Sequence, residues 1–305
     1  MNGLFFIINP VAGHGRAKRV WKRVKRELDR KKVSYRSFQT EYPGHAEVLA
    51  RQVATIQNYH LKTIICIGGD GTIHELVNGL RSFNNIKIGF ISAGIGNDFA
   101  RRFKFSLHPV KAISHIIQTV DQPGKRYELG ECCLKGKQSG LLFIHSLEIG
   151  FHAEVIKEVE KASNNKYITM MHLEFLTFII GFLKVLFTYQ PVSLNVIVNG
   201  ENLSYQHVWF LSTTPLNHTQ GKVQSDSPIN GVLNITVVKN MKRYQFLLLY
   251  LINLTGRHLR SETSIVSDSL TVRSESPLSI QTDGEILGET PVSVYVKKST
   301  VEFIT

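Results

Sequence analysis

The chain has 305 residues, a length that suits two domains better than one, and its 43% hydrophobic and 20% charged content excludes a disordered polymer. Three cysteines, Cys66, Cys132 and Cys133, form no C-x-x-C pair, which excludes a disulfide scaffold and suits free thiols in a reducing compartment. The formal net charge is +12, and most of the excess lies between Arg16 and Arg36, where eleven Lys or Arg meet only Glu27 and Asp29.

In chain order, Leu4 to Ile8 reads as a buried strand, too short for the apolar core of a signal peptide and without a basic segment before it. Ala17, Val20, Trp21, Val24 and Leu28 then recur at helical spacing and leave the basic residues on the outer face. That face is either a solvated helix surface or an attractor for phosphates of nucleotide, nucleic acid or an anionic membrane. Ser34 to Gln39 reads as a more polar strand, and Ala46, Leu49, Val53 and Ile56 stripe a second helix. Thr63 to Ile67 and Ile86 to Ile91 are strands around a third helix marked by Ile73, Leu76, Val77 and Leu80; Pro109 to Val120 is a further helix. Repeated β-α-β units imply an α/β domain with a parallel sheet covered by helices.

Asp121 to Gly124 reads as a linker, after which the pattern turns to strands: 127–134, 141–147, 192–198, 207–212, 232–238, 269–273, 278–282 and 292–296. These predict an antiparallel β-sandwich with two helical insertions, Tyr167 to Phe187 and Tyr244 to Leu254. The first is very apolar yet short for a spanning segment, and it is either a core helix or the wall of a lipid-sized cleft. The expected domains are 1–122 and 123–296, with 297–305 packing back on the first.

Candidate sites in the first domain each follow a strand. They are Asn9-Pro10-Val11-Ala12-Gly13-His14-Gly15, Gly68-Gly69-Asp70-Gly71-Thr72, and Ala93-Gly94-Ile95-Gly96-Asn97-Asp98. Glycine permits close backbone approach, and backbone N–H groups at a strand-to-helix turn make an anion site. One glycine loop is as readily a tight turn, but three on one sheet edge point to phosphate binding. Neither the G-x-x-x-x-G-K-[ST] loop nor the G-x-G-x-x-G dinucleotide rule is met.

These motifs, in this order and spacing, resemble the diacylglycerol kinase catalytic domain, with Gly94-x-Gly96-Asn97-Asp98-Phe99-Ala100-Arg101 the most specific stretch. Asp283-Gly284-Glu285 resembles the family's second-domain motif, so the resemblance spans nearly the whole chain. It implies that ATP is held by Asn9 to Gly13 and by Gly68, Gly69, Asp70, Gly71, Thr72, Ile73 and His74, with Thr40 and Ile95 also at the nucleotide. Asp70 and Asp98 would organise Mg²⁺ and water near the phosphates, Arg19 and Lys166 would be cationic partners, and Glu285 would be the general base for a lipid hydroxyl. Glu285 meets that role only if the two domains face each other across a cleft. Without the resemblance, Asp70 reads as a helix cap, Asp283-Gly284 as a hairpin turn and Glu285 as a surface strand residue.

The sequence departs from the family at Ser92 and Gly94-Ile95, where Pro and Gly-Thr are usual; Ile95 has no hydroxyl. A structural Mg²⁺ site of the bacterial members would fall on Ser227, Asn230 and the Val232 carbonyl, with Asn230 in place of a carboxylate and binding weakened accordingly. The leading expectation is an ATP- and Mg²⁺-dependent lipid kinase acting on diacylglycerol to give phosphatidic acid. It would be cytoplasmic, peripheral at the inner face of the membrane, and bound to anionic lipids through the basic helix at 16–32. The competing readings are an NAD or metabolite kinase using the same glycine loop, and a degenerate module that senses nucleotide and lipid. Nucleic acid is not expected, because the basic helix lacks interleaved exposed aromatics; a homodimer is left open.

Overall fold

The computed structural model describes residues 2–56, 61–83, 86–94, 98–136, 140–163, 174–216, 231–254 and 263–305. The chain divides into two compact units, Met1–Leu129 with Lys298–Thr305, and Gly130–Lys297.

In the first unit, β1 (Asn2–Ile8), β2 (Arg36–Gln39), β3 (Leu61–Gly68) and β4 (Ile86–Ser92) form a parallel sheet in the order β4-β3-β1-β2. The last residues of the chain add to its far edge: Glu302 and Phe303 pair in parallel with Lys87 and Ile88. Register places Ile8 beside both Gln39 and Ile67, and Gly68 beside Ser92. The C-terminal ends of all four strands therefore share one edge. Leu4, Phe6 and Ile8 face a core built with α1 (Arg16–Arg30) and α5 (Pro109–Thr119), through Val20, Val24, Leu28, Ile113 and Ile116. Phe5 and Ile7 are buried on the alternate face, where α2 (His45–Thr55) packs on β1 and α3 (Asp70–Gly79) on β3. The expected stripe of α1 is buried at Ala17, Val20, Val24 and Leu28, while Trp21 rests edge-on against Tyr35 and tilted on Phe6. A short helix, α4 (Asp98–Arg102), follows the third glycine segment. Lys87 is buried, and its ammonium donates to the carbonyls of Val120 (2.9 Å) and Gln122 (2.6 Å), tying down the chain just past α5.

The second unit is antiparallel. Its strands are β5 (Lys125–Leu134), β6 (Leu141–Phe143), β7 (Leu147–Gly150), β8 (Val192–Val198), β9 (Glu201–Pro215), β10 (Leu233–Lys239), β11 (Thr263–Ser267), β12 (Ser269–Ser274), β13 (Ser279–Thr282), β14 (Glu285–Glu289) and β15 (Val292–Phe303). β5 and β15 begin or end in the first unit. The order runs β14-β13-β7-β9-β8-β12-β15, with β10 and β11 continuing from β9. Inward alternation along these strands builds one core of Val, Leu and Ile, including Ile149, Leu194, Val196, Leu211, Ile235, Val272 and Val294. A second, aromatic cluster lies where α6 (Phe151–Ser163), α7 (Glu174–Thr188) and α8 (Arg243–Leu254) pack on β9: Phe151, Phe182, Tyr189, Trp209, Phe210 and Phe246.

Two differences from the sequence reading appear here. The strand expected at 141–147 is two strands, because the N–H groups of residues 144–146 turn away from any ladder and donate to the Asp283 carboxylate. The apolar helix is described from Glu174 to Thr188; residues 164–173, which include its expected start at Tyr167, lie outside the described residues. Helix α6 was not read, although Phe151, Val155 and Val159 recur every fourth residue; Glu and Lys between them masked the stripe.

Candidate functional site

The strand ends of the first unit deliver three loops to one place. After β1, the Asn9 N–H donates to the Ile67 carbonyl (2.9 Å), and the Asn9 side chain donates through Nδ2 to Thr72 Oγ1 (3.0 Å). Its Oδ1 accepts the Val11 N–H (3.2 Å), so one asparagine closes its own turn and ties it to the second loop. After β3, the Gly68 carbonyl accepts the N–H groups of Ala93 (2.8 Å) and Gly94 (3.2 Å), tying the second loop to the third. The Arg16 guanidinium reaches the Gly94 carbonyl at 3.4 Å.

Glycine is required here by contact. Gly13 has φ +57, and a Cβ on it would stand 2.2 Å from the Ala93 carbonyl oxygen. A Cβ on Gly94 would stand 2.7 Å from Gly69 Cα, and one on Gly68 would be 2.6 Å from Thr72 Oγ1. The three loops thus pack backbone to backbone. Behind them, the first N–H groups of α1, at Arg16, Ala17 and Lys18, are taken by the carbonyls of Gly13, Ala12 and Gly15, whereas α3 starts on Gly69 with no side-chain cap hydrogen bond. First-turn N–H groups of such a helix, at the positive end of its dipole, bind anions.

Asp70 opens α3 beside these glycines, half-buried. Thr72, Ile73 and His74 are buried, so Ile73 and His74 support the loop from below, and Gly71 continues the turn. Pro10, Val11 and Ala12 form the rim, with Val11 72% exposed. Thr40 is buried after β2, and its N–H donates to the Ile8 carbonyl (2.9 Å), which places it on the same edge. Arg19 is exposed on α1, one turn beyond Arg16. Asp98 is the first residue of α4. Ile95, Lys166, Ser227 and Asn230 lie outside the described residues; the Val232 carbonyl accepts the Leu216 N–H at 3.0 Å. Two residues were missed. Arg16 holds the third loop, and Glu75 accepts the N–H groups of Gly44 (2.9 Å) and Ala46 (3.1 Å), fixing the loop after Thr40. Arg16 had a signal, since it is the first helical residue after a glycine loop; Glu75 had none.

In the second unit, Asp283 (φ +50) and Gly284 (φ +92) form the two-residue turn between β13 and β14, both in the left-handed region that a type I′ hairpin needs. The Asp283 carboxylate accepts N–H groups from Ile144 (2.8 Å), His145 (2.8 Å) and Ser146 (3.0 Å). Glu285, the first residue of β14, is exposed. The hairpin reading holds, and the turn presents Glu285 to solvent.

Comparison with known proteins agrees with this geometry. Residues 3–127 match the diacylglycerol kinase catalytic domain, and residues 146–305 match the family described as YegS C-terminal NAD kinase beta sandwich-like domain. The chain is 36% identical over 300 residues to the Bacillus subtilis protein named "Putative lipid kinase YtlR", covering 95% of this chain and 96% of the relative. It is 26% identical over 293 residues to the diacylglycerol kinase of Bacillus subtilis, covering 93% and 90%. A solved structure of a diacylglycerol kinase from Bacillus anthracis shares the fold, with a TM-score of 0.66 at 18% identity over 99% of this chain and 96% of that one.

Proposed function

The chain belongs to the diacylglycerol kinase catalytic-domain family, as an ATP-using phosphotransferase with an alcohol acceptor, and from that premise we propose that it phosphorylates diacylglycerol to phosphatidic acid. The observation that carries the nucleotide half is the convergence of the loops at Gly13, Gly69 and Gly94 on the uncapped start of α3, which offers N–H groups to phosphates. Arg16 and Arg19 add positive charge on α1. Phosphoryl transfer needs aligned phosphates and neutralised charge more than covalent help.

Magnesium fits this donor set. Asp70 and Asp98 would hold it, because Mg²⁺ prefers oxygen ligands and one or two carboxylates suffice beside its own waters. When bound it neutralises phosphate charge. Glu285 accepts the proton of the lipid hydroxyl, and its exposed place beside a rigid turn suits a base that must meet an incoming substrate.

The lipid acceptor is supported by α7 and α8. Leu176, Ile180, Leu183 and Phe187 recur along α7, and Tyr244, Leu248 and Leu251 along α8, all exposed on one stripe of each helix. Among the described residues no helix is long and apolar enough to cross a membrane. These stripes therefore suit contact with acyl chains at a surface, and the exposed Lys18, Lys22, Arg23, Lys25 and Arg26 of α1 suit anionic headgroups at the inner face of the membrane. The test is transfer of labelled phosphate from ATP to diacylglycerol, phosphatidylglycerol, a polyprenol and a sphingoid base in mixed micelles. Diacylglycerol is expected to be the best acceptor; faster labelling of another lipid replaces it as the substrate.

A further inference from the structure

The hairpin that carries Glu285 is anchored twice, and the second anchor leads to a half-buried, hydrogen-bonded pair, Glu148 and His152, that the reaction as described does not use. Gln281, on β13, is buried, and its side-chain amide is spoken for at both ends. Its Nε2 donates to Glu148 Oε2 across the β13–β7 strand pair (2.7 Å), and its Oε1 accepts the Gly284 N–H (2.8 Å). The orientation is forced, because an ionised carboxylate only accepts and a backbone N–H only donates. Gly284 is the residue before Glu285.

Glu148 is ionised for a physical reason. Burial alone would raise its pKa, but the neighbouring His152, through charge and a 2.9 Å hydrogen bond from Nδ1, together with Gln281 and His145, outweighs burial and holds it down at about 2. His152, the second residue of α6, is fixed in turn, stacked on Phe210 with ring centroids 4.3 Å apart. Its Nε2 is buried and has no hydrogen-bond partner among the described residues, so the polar contact of the ring runs inward through Nδ1 to Glu148. Ser212 Oγ lies 3.5 Å from the other carboxylate oxygen. The chain His152–Glu148–Gln281–Gly284 therefore fixes the second turn residue, as the Asp283 carboxylate fixes the first.

We infer that Glu148 and Gln281 are positioning residues that set the place of Glu285 through the Gly284 amide. The inference rests on reading Glu285 as the proton acceptor. It makes the catalytic turn rigid from behind while Glu285 itself stays open to substrate. Hydrogen bonds run unbroken from His152 Nδ1 to the Gly284 N–H, and a shift of about 1 Å at a reacting group costs roughly 100-fold in rate.

The test uses the full chain as Gln281→Ala, Glu285→Gln and the double variant, with the best acceptor of the lipid panel. Gln281→Ala is expected to lower kcat roughly 10- to 100-fold with KM for ATP within about twofold. It should also speed amide exchange at Gly284, and the double variant should be no slower than Glu285→Gln. Glu148→Gln should give the same exchange change, with Gln281→Ala deciding the matter if that variant folds poorly. A Glu285→Gln variant at parental kcat overturns the base reading and this inference with it. A slow Glu285→Gln beside a parental Gln281→Ala overturns this inference alone. So do rate losses that multiply in the double variant, or unchanged exchange at Gly284.

Discussion

The glycines of the three strand-end loops are equivalent as letters and unequal as atoms. A Cβ on Gly69 would meet nothing nearer than Gly94 Cα at 3.4 Å, whereas a Cβ on Gly94 would stand 2.7 Å from Gly69 Cα. Gly94→Ala is therefore expected to cost about 1–3 kcal/mol of stability. Gly69→Ala should cost less than about 1 kcal/mol, and a large residue at Gly69 should fold yet lose ATP. Melting temperature and calorimetric titration with ATP separate the two; equal destabilisation would contradict the packing. The motif made these positions legible as glycines, but which of them touch was invisible, because contact depends on register between strands far apart in sequence. Glu148 gives a second expectation. Its folded pKa of about 2 lies below the ordinary 4.5, so its stabilisation is present above pH 4.5 and lost as pH falls toward 2. That difference corresponds to about 3 kcal/mol, which Glu148→Gln should remove from the acid limb of a denaturant-unfolding series. An unchanged acid limb would mean that the pair is not formed. Burial pushes the Cys66 thiol up and the Cys132 thiol up to about 12, with Leu141 carbonyl contact and Cys133 as lesser influences on the latter. Neither should alkylate at pH 8 in the native protein.

Among elements, the parallel sheet was the most legible part, because each apolar run is bounded by a glycine loop and followed by a clean helical stripe. The second unit was less so. Residues 141–147 look like one strand, but Asp283, more than a hundred residues later, takes their N–H groups and breaks it. No local pattern announces that. Helix α1 was legible as amphipathic, and it keeps seven cations exposed: Lys18, Arg19, Lys22, Arg23, Lys25, Arg26 and Arg30. Each contributes ~1 kcal/mol near an anionic bilayer. Binding to anionic vesicles should thus fall steeply between low and high salt, and reversing Lys22 and Arg26 to Glu should weaken it. Salt-independent sedimentation with vesicles would leave α1 a solvated face. The apolar stripe of α7 predicts a different response. Phe187 is 70% exposed, so Ile180→Ser with Phe187→Ser should leave the melting temperature close to parental while raising the apparent KM for micellar lipid. A large loss of stability would make that stripe part of the core instead.

At the scale of the molecule, both units were foreseen, and the residues expected to do the chemistry are distributed between them: phosphate loops and Asp70 in the first, Glu285 in the second. What the sequence hid was support. Arg16, Glu75, Glu148 and Gln281 touch loops and turns rather than forming motifs, and apart from the local pairs Glu148–His152 and Gln281–Gly284 the contacts described lie 29 to 133 positions away. Motifs mark groups that meet substrate, while the groups that hold them are chosen by the folded surface. The central claim is that this is a working lipid kinase with Glu285 as its base, and one measurement tests it most directly. Turnover of γ-labelled ATP with diacylglycerol in mixed micelles is compared for the parent and for Glu285→Gln, with ATP affinity measured alongside. The account expects labelled phosphatidic acid from the parent, at least ~100-fold slower turnover in the variant, and equal ATP binding in both. Parental turnover in Glu285→Gln, or a parent that binds ATP yet labels no lipid of the panel, would contradict it.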